Sequence, residues 1–207
     1  MRCALQRIAQ GLASMQVFAA TVIAAFEFMT KEVSMSYSMS QAAVPACATI
    51  LNALIVVLDK GAAHAAAKKV DPAVLLGWRL APDMFALTRQ VQIATDQAKN
   101  GLSRLAGVEP PKYEDNETTL EALKERLAKT VAYIKTLDAK AIDASVERDI
   151  TFPLGPKKGQ MKGADYLNHF VLPNFYFHAS AAYGIVRAFG ADIGKRDFLG
   201  VFPITMV

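Results

Sequence analysis

Cysteine is nearly absent: Cys3 and Cys47 are the only two in the chain. That excludes a disulfide framework and any cysteine-rich zinc module. Charge of one sign is also scarce. Lys and Arg number 23 against 19 Asp and Glu, a net of +4. The dense basic stripe of a nucleic-acid-binding surface is missing, and no nucleic acid partner is expected. Charged residues make up only 20% of the chain against 53% hydrophobic, which excludes intrinsic disorder. There is no serine nucleophile elbow, no Gly-rich phosphate loop and no Cys–His pairing, so those enzyme classes have no support. No internal repeat is evident either.

What is present is apolar residue, above the ~45–50% usual for a soluble protein. The 207 residues make one large domain, or one domain with an appendage. The first 34 residues differ from the rest. Arg2 and Arg7 precede a run from Gly11 to Met29 that is apolar apart from Ser14, Gln16, Thr21 and Glu27. Three readings stand: a signal peptide or anchor, a helix docked by its apolar face, or a start placed ahead of a natural beginning at Met35. Glu27 and the lack of a small-x-small cleavage site count against the first. The expected location is cytoplasmic, with no membrane partner unless residues 1–34 are an anchor. Val201 to Val207 is a short apolar tail containing Pro203.

From Ser40 the chain reads as successive helices. Val44 to Asp59 carries Val44, Ala48, Leu51, Leu54, Ile55 and Leu58 at the spacing of a core stripe. Pro45 is expected in its first turn, and Lys60 to Lys69 as a short continuation bearing His64. Asp71-Pro72 caps a short helix through Trp78. Pro82-Asp83 is expected to open a second long helix ending at Gly107. Val108 to Asn116, with Pro110-Pro111, is a loop. Thr118 or Thr119 opens a third, with Leu120, Leu123, Leu127, Val131, Ile134 and Leu137 in register. Glu121, Lys124, Glu125, Arg126 and Lys129 are expected on its solvated face. Arg148 to Phe152 alternates polar and apolar, Gly155 to Gly159 turns, and Gln160 to Lys162 returns, which predicts a hairpin. A fourth long helix runs from Ala164-Asp165 to Gly190 and bends at Pro173. The expected fold class is all-α: a four-helix bundle with a small hairpin between its third and fourth long helices.

Bundles build sites from inward-pointing side chains on facing helices. On the fourth helix Asn174 and His178 are four apart and share a face with Val171, Ala181, Ala182 and Ile185. His169, nine residues before His178, falls on the opposite side. On the second helix Asp83, Leu87, Gln90 and Ala94 share an arc, and Gln92 points roughly away from it. Asp83, Gln90, Asn174 and His178 are therefore expected to line one polar pocket, with His178 as general base or hydrogen-bonding group. The bland alternative is a structural cluster. A lone histidine on an apolar face is more often a satisfied core residue than a ligand, and Asp83 after Pro82 suits a helix cap. The aromatics Phe170, Phe175, Tyr176, Phe177 and Tyr183 read as packing.

Met35 to Met39 leading to Val44-Pro45 resembles the start of domain-of-unknown-function family 1993. So do Arg79 to Phe85, continued by Gln90 to Ala94; Arg104 to Gly107 with Pro110-Pro111; His169-Phe170 to Pro173-Asn174-Phe175; and Gly194 to Gly200. The resemblance spans Met35 to Gly200. It implies a bundle domain over residues 35–200, a foreign extension over 1–34 and a tail over 201–207. That family is similar in fold to the DinB/YfiT-like superfamily, whose active members include thiol transferases holding a divalent metal with three histidines. One comes from the second helix and two, four apart, from the fourth. Here the fourth-helix pair falls on Asn174 and His178, and the second helix has no histidine, only Gln90 and Gln92. The resemblance thus implies the fold and retains at most His178 of the metal ligands, leaving any cofactor unknown. Three functions follow: a polar pocket for an unidentified small molecule at the old metal position, a divalent-metal-dependent thiol transferase or hydrolase, or a non-enzymatic homodimer.

Overall fold

The computed structural model describes residues 38–205. The three readings of residues 1–34, and the proposed start at Met35, lie outside the described residues. Helix α1 (Met39–Ala67) begins at a capping box. Ser38 Oγ accepts from the Gln41 amide at 3.3 Å, and the Ser38 amide donates back to Gln41 Oε1 at 3.4 Å. The helix starts five residues earlier than the apolar stripe suggests, because the cap rather than the stripe sets its first turn. Pro45 therefore lies inside α1, on an exposed position, and not in its first turn. Lys60 onward is the same helix continued, with His64 in its last turn. By length and composition α1 could cross a membrane, but Leu51, Leu54, Val57 and Leu58 are core residues of this bundle.

A one-turn helix α2 (Ala73–Leu76) follows, with the Asp71 carboxylate accepting from the Ala73 amide at 2.8 Å. Then come α3 (Leu87–Ala106) and α4 (Leu120–Ile134). Helix α3 ends at Gly107, whose φ of 74° is the left-handed conformation that glycine adopts without strain. The short helix α5 (Ala139–Asp143) is tied to the start of α1, since the Ser40 amide and hydroxyl both donate to the Asp143 carboxylate at 2.8 and 3.0 Å.

Strands β1 (Asp149–Leu154) and β2 (Lys157–Lys162) form the antiparallel hairpin, pairing Asp149 with Lys162 and Phe152 with Gly159. Ile150 and Phe152 are buried beneath it. The Phe152 ring lies 4.8 Å from Tyr166 and 4.4 Å from Phe170, so the hairpin is stapled to the fourth helix by aromatic contacts.

That fourth helix has three parts: α6 (Gly163–Asp165), a π-helical stretch π1 (Tyr166–Val171) and α7 (Leu172–Ala188). The expected bend at Pro173 takes the form of this π turn. Proline lacks the N–H for the next i→i−4 bond, and the wider i→i−5 turn just before it, seen in the Leu172 amide donating to Leu167 O, moves the ladder past the gap. A last helix α8 (Lys195–Leu199) precedes the tail. In the bundle α3 packs against α4 and α7, and α1 closes the ring against both. Leu87, Val91, Leu102, Leu123, Leu127, Phe175 and Ile185 fill its centre.

Candidate functional site

Leu80 to Ala86 forms a turn and loop rather than the first turn of a helix. The Met84 amide donates to Ala81 O, Leu87 N–H reaches back to Trp78 O, and Arg79 Nη1 donates to Met84 O at 3.1 Å. Helix α3 thus begins four residues after Asp83, which is exposed and takes no part in the expected arc. The Pro-Asp pair mimics a helix start, but the loop's own backbone bonds satisfy those donors and acceptors first. The anticipated four-residue lining loses Asp83 for this reason.

Gln90 sits in the first turn of α3 with 1% of its surface exposed. Its Nε2 donates to Phe85 O at 3.2 Å, and its Oε1 lies 2.7 Å from His178 Nδ1 on α7. These two contacts fix the chemistry of the pair. A carbonyl can only accept, so the amide nitrogen must face Phe85 and the amide oxygen must face His178. His178 Nδ1 therefore carries the proton, and Nε2 presents a lone pair. Nε2 has no hydrogen-bond partner among the described residues. The Phe177 ring, 59% exposed, meets the imidazole edge-on at 5.1 Å.

Burial, followed by the nearby Arg89 guanidinium, pulls the His178 pKa below its ordinary 6.5. Both causes penalise the cation. Because the folded value is lower than the unfolded one, the native state binds fewer protons in the window between them, so stability rises with pH there. The contribution is whole above 6.5 and is lost as pH falls through the lowered value. An NMR titration of the His178 ring should give a midpoint below 6.5, and the decline in Tm on acidifying below that pH should shrink in His178→Gln. A midpoint at or above the ordinary value contradicts the geometry.

Asn174 does not complete this pair with its amide nitrogen. Its Nδ2 donates to Phe170 O at 2.7 Å, a bond within its own helix beside the π turn and Pro173. This is the structural role that a polar side chain near a broken backbone ladder commonly takes. His169 is exposed, 3.9 Å from Asp165, and so stands apart from His178 as expected. His64 packs edge-on to Phe189 at 6.0 Å. Among the described residues, no three His, Cys, Asp or Glu side chains group as metal ligands would.

The larger surprise is Arg126. Sequence spacing places it on the solvated face of α4, yet its side chain is 2% exposed. Four of its N–H groups donate: Nε to Thr95 Oγ1 at 2.7 Å, Nη1 to Glu114 O and Glu117 at 3.1 and 2.9 Å, and Nη2 to Asp96 at 3.0 Å. The Asp115 carboxylate adds an ion pair 3.1 Å from Nη2. Gln92, read as pointing away from the core, is also buried, and its Nε2 donates to Glu117 at 2.8 Å. Lys99 Nζ reaches Pro111 O at 2.7 Å and lies 4.2 Å above the Tyr113 ring. This seam between α3 and α4 clamps the loop over residues 108–119 and lies on a different arc of α3 from Gln90.

A family model described as a domain of unknown function, DUF1993, matches residues 39–199. The crystal structure of a DinB family member protein from Shewanella denitrificans is similar at 37% identity and a TM-score of 0.76, over 82% of this chain and 96% of that one. No curated protein matches.

Proposed function

The chain belongs to the domain-of-unknown-function family DUF1993, on a DinB-like fold, and from that premise we propose that it binds a small molecule at the Gln90–His178 pair. One observation carries the reading: the 2.7 Å contact that fixes the His178 tautomer and leaves Nε2 an acceptor with no hydrogen-bond partner among the described residues. A histidine retained only for packing has its second nitrogen satisfied or dispensable. Here a buried amide is committed to holding the ring in one state. His178 serves as hydrogen-bond acceptor, and as general base for any ligand proton that departs.

The residues at the superfamily's metal position do not fit a divalent metal. Zinc-like ions favour neutral imidazoles, and amide oxygens hold them weakly. Against one imidazole nitrogen, the other candidate donors are amide oxygens: Gln90 Oε1, which already accepts from His178, and Asn174 Oδ1. A thiol transferase or hydrolase built on three histidines has no support in this donor set.

The test is a fragment library screened by NMR against the full chain and His178→Ala. Hits should perturb His178 and Gln90 and vanish in the variant, which should lose only ~1–3 kcal/mol of stability from the unpaired amide. Hits that bind His178→Ala equally well would overturn the reading.

A second reading, a homodimer acting through its surface, is favoured by the apolar tail. Val201 is 95% exposed and lines a cleft of about 330 Å³ with Val56 of α1, and Ile204 is 67% exposed. Patches of this kind mark association surfaces. Light scattering should then return twice the 22.4 kDa of one chain, and Val201→Asp should halve it. A monomer mass for the unaltered chain excludes this reading.

A further inference from the structure

The Gln90–His178 pair also constrains what its ligand can be, and this inference rests on the reading above. Near pH 8 an imidazole of ordinary pKa ~6.5 is neutral, and here its one proton is on Nδ1, facing Gln90 Oε1 at 2.7 Å. Nε2 can only accept. A carboxylate or phosphate, which also only accepts, would set lone pair against lone pair. An ammonium group can donate, but it must shed the hydration of a full charge to reach an imidazole that is only 9% exposed. A neutral O–H or N–H donor meets neither obstacle.

The surroundings specify the rest of the ligand. Phe177 stands edge-on to His178 at 5.1 Å and leaves 59% of its surface uncovered. An aromatic side chain thus stands open beside a largely buried imidazole, an arrangement that suits a flat apolar body with one polar edge.

We propose that the Gln90–His178 site takes a neutral, planar apolar molecule carrying a single hydroxyl or N–H donor of phenol or enol type, with Nε2 as its acceptor and Phe177 as its apolar wall. In any proton transfer the O–H bond breaks and an Nε2–H bond forms. The electron pair stays on the ligand oxygen, and the imidazolium returns the proton when the ligand leaves.

Four probes of one size separate the possibilities: phenol, anisole, benzoate and benzylamine, titrated near pH 8 into the full chain while the His178 ring and Gln90 side-chain signals are followed by NMR. Phenol should shift both saturably and bind at least about tenfold tighter than each of the others, the worth of one hydrogen bond to a buried acceptor. Phe177→Ala, at an exposed position that leaves the core intact, should weaken phenol about three- to tenfold. Benzoate or benzylamine binding as tightly as phenol overturns the ligand class, as does anisole, because then the donor is irrelevant. If none of the four moves His178, the class is also wrong. The site reading itself falls only if the broader fragment screen also finds nothing at His178.

Discussion

Arg126→Met should lower stability by about 3 kcal/mol, read as a fall in Tm of roughly 6–12 °C for a domain of this size. The substitution keeps an unbranched stem close to that of Arg and removes every donor. Thr95, the Glu114 carbonyl and the carboxylates of Asp96, Asp115 and Glu117 lose their common partner together. The figure sits at the low end for a broken buried ion pair because the partners keep some contact with water: Asp96, Asp115 and Glu117 side chains are 27%, 40% and 10% exposed. Arg126→Lys should fall between, since it restores the charge without the five-donor fork. Added salt should leave most of the difference in place, as a guanidinium this buried is poorly screened. A loss of under about 1 kcal/mol in chemical denaturation, the range of a surface pair, would show that the hub contributes little.

Gly163→Ala should cost about 3 kcal/mol or more, the upper range for overpacking. A Cβ at this position would lie 1.9 Å from the Ser145 carbonyl oxygen and 2.8 Å from its carbonyl carbon. Both are backbone atoms, so no rotamer change relieves the clash. Either the turn after α5 or the start of the fourth helix must move. The Gly163 amide also donates to Arg148 O at 2.9 Å, while Arg148 Nη2 caps the end of α3 through Arg104 O and Leu105 O at 2.8 and 2.6 Å. Displacing Gly163 therefore disturbs the hairpin, the C-terminus of α3 and the helix that carries His178. A thermal melt of the variant within about 2 °C of the parent would show that this close approach is dispensable.

Much of the fold was legible because local rules and core burial agree. The stripes of α1, α3 and α4, the Gly107 stop, the Thr119 cap and the existence of the hairpin appear where periodicity and turn chemistry put them. The turn, however, is only Gly155-Pro156, and the return strand begins at Lys157, not Gln160, because Lys157 to Gly159 pair with Phe152 to Leu154. The pairing of Gln90 with His178 was partly legible: each lies on an inward arc of its helix, and the structure brings them to 2.7 Å. Asp83 failed because Pro-Asp signals a helix start only when nothing else satisfies the local backbone, and here the loop does. The Asn174 amide nitrogen takes a backbone task beside the π turn and Pro173, a need that is invisible in the sequence without the backbone. Arg126 had a readable signal. Leu123, Arg126, Leu127 and Thr130 follow the i, i+3, i+4, i+7 pattern of a buried face, and all four are buried. Residue type overrode periodicity in the reading, whereas in the protein periodicity prevailed because partners were waiting.

The sequence by itself determined what depends on neighbours along the chain: which residues share a helix face, the stop at Gly107, the cap at Thr119 and the existence of the hairpin. Tertiary structure alone decided what depends on neighbours across space. Helix α3 packs against two helices at once, so it buries two arcs. Gln90 is on the arc toward α7, and Gln92, Thr95, Lys99 and Ser103 form the polar arc toward α4. A single-helix pattern assigns only one inward face, so the second reads as solvent-exposed until the partner helix is seen. The proton on His178 Nδ1 was settled in the same way, by a glutamine 88 residues away whose own orientation is fixed by a carbonyl in the preceding loop.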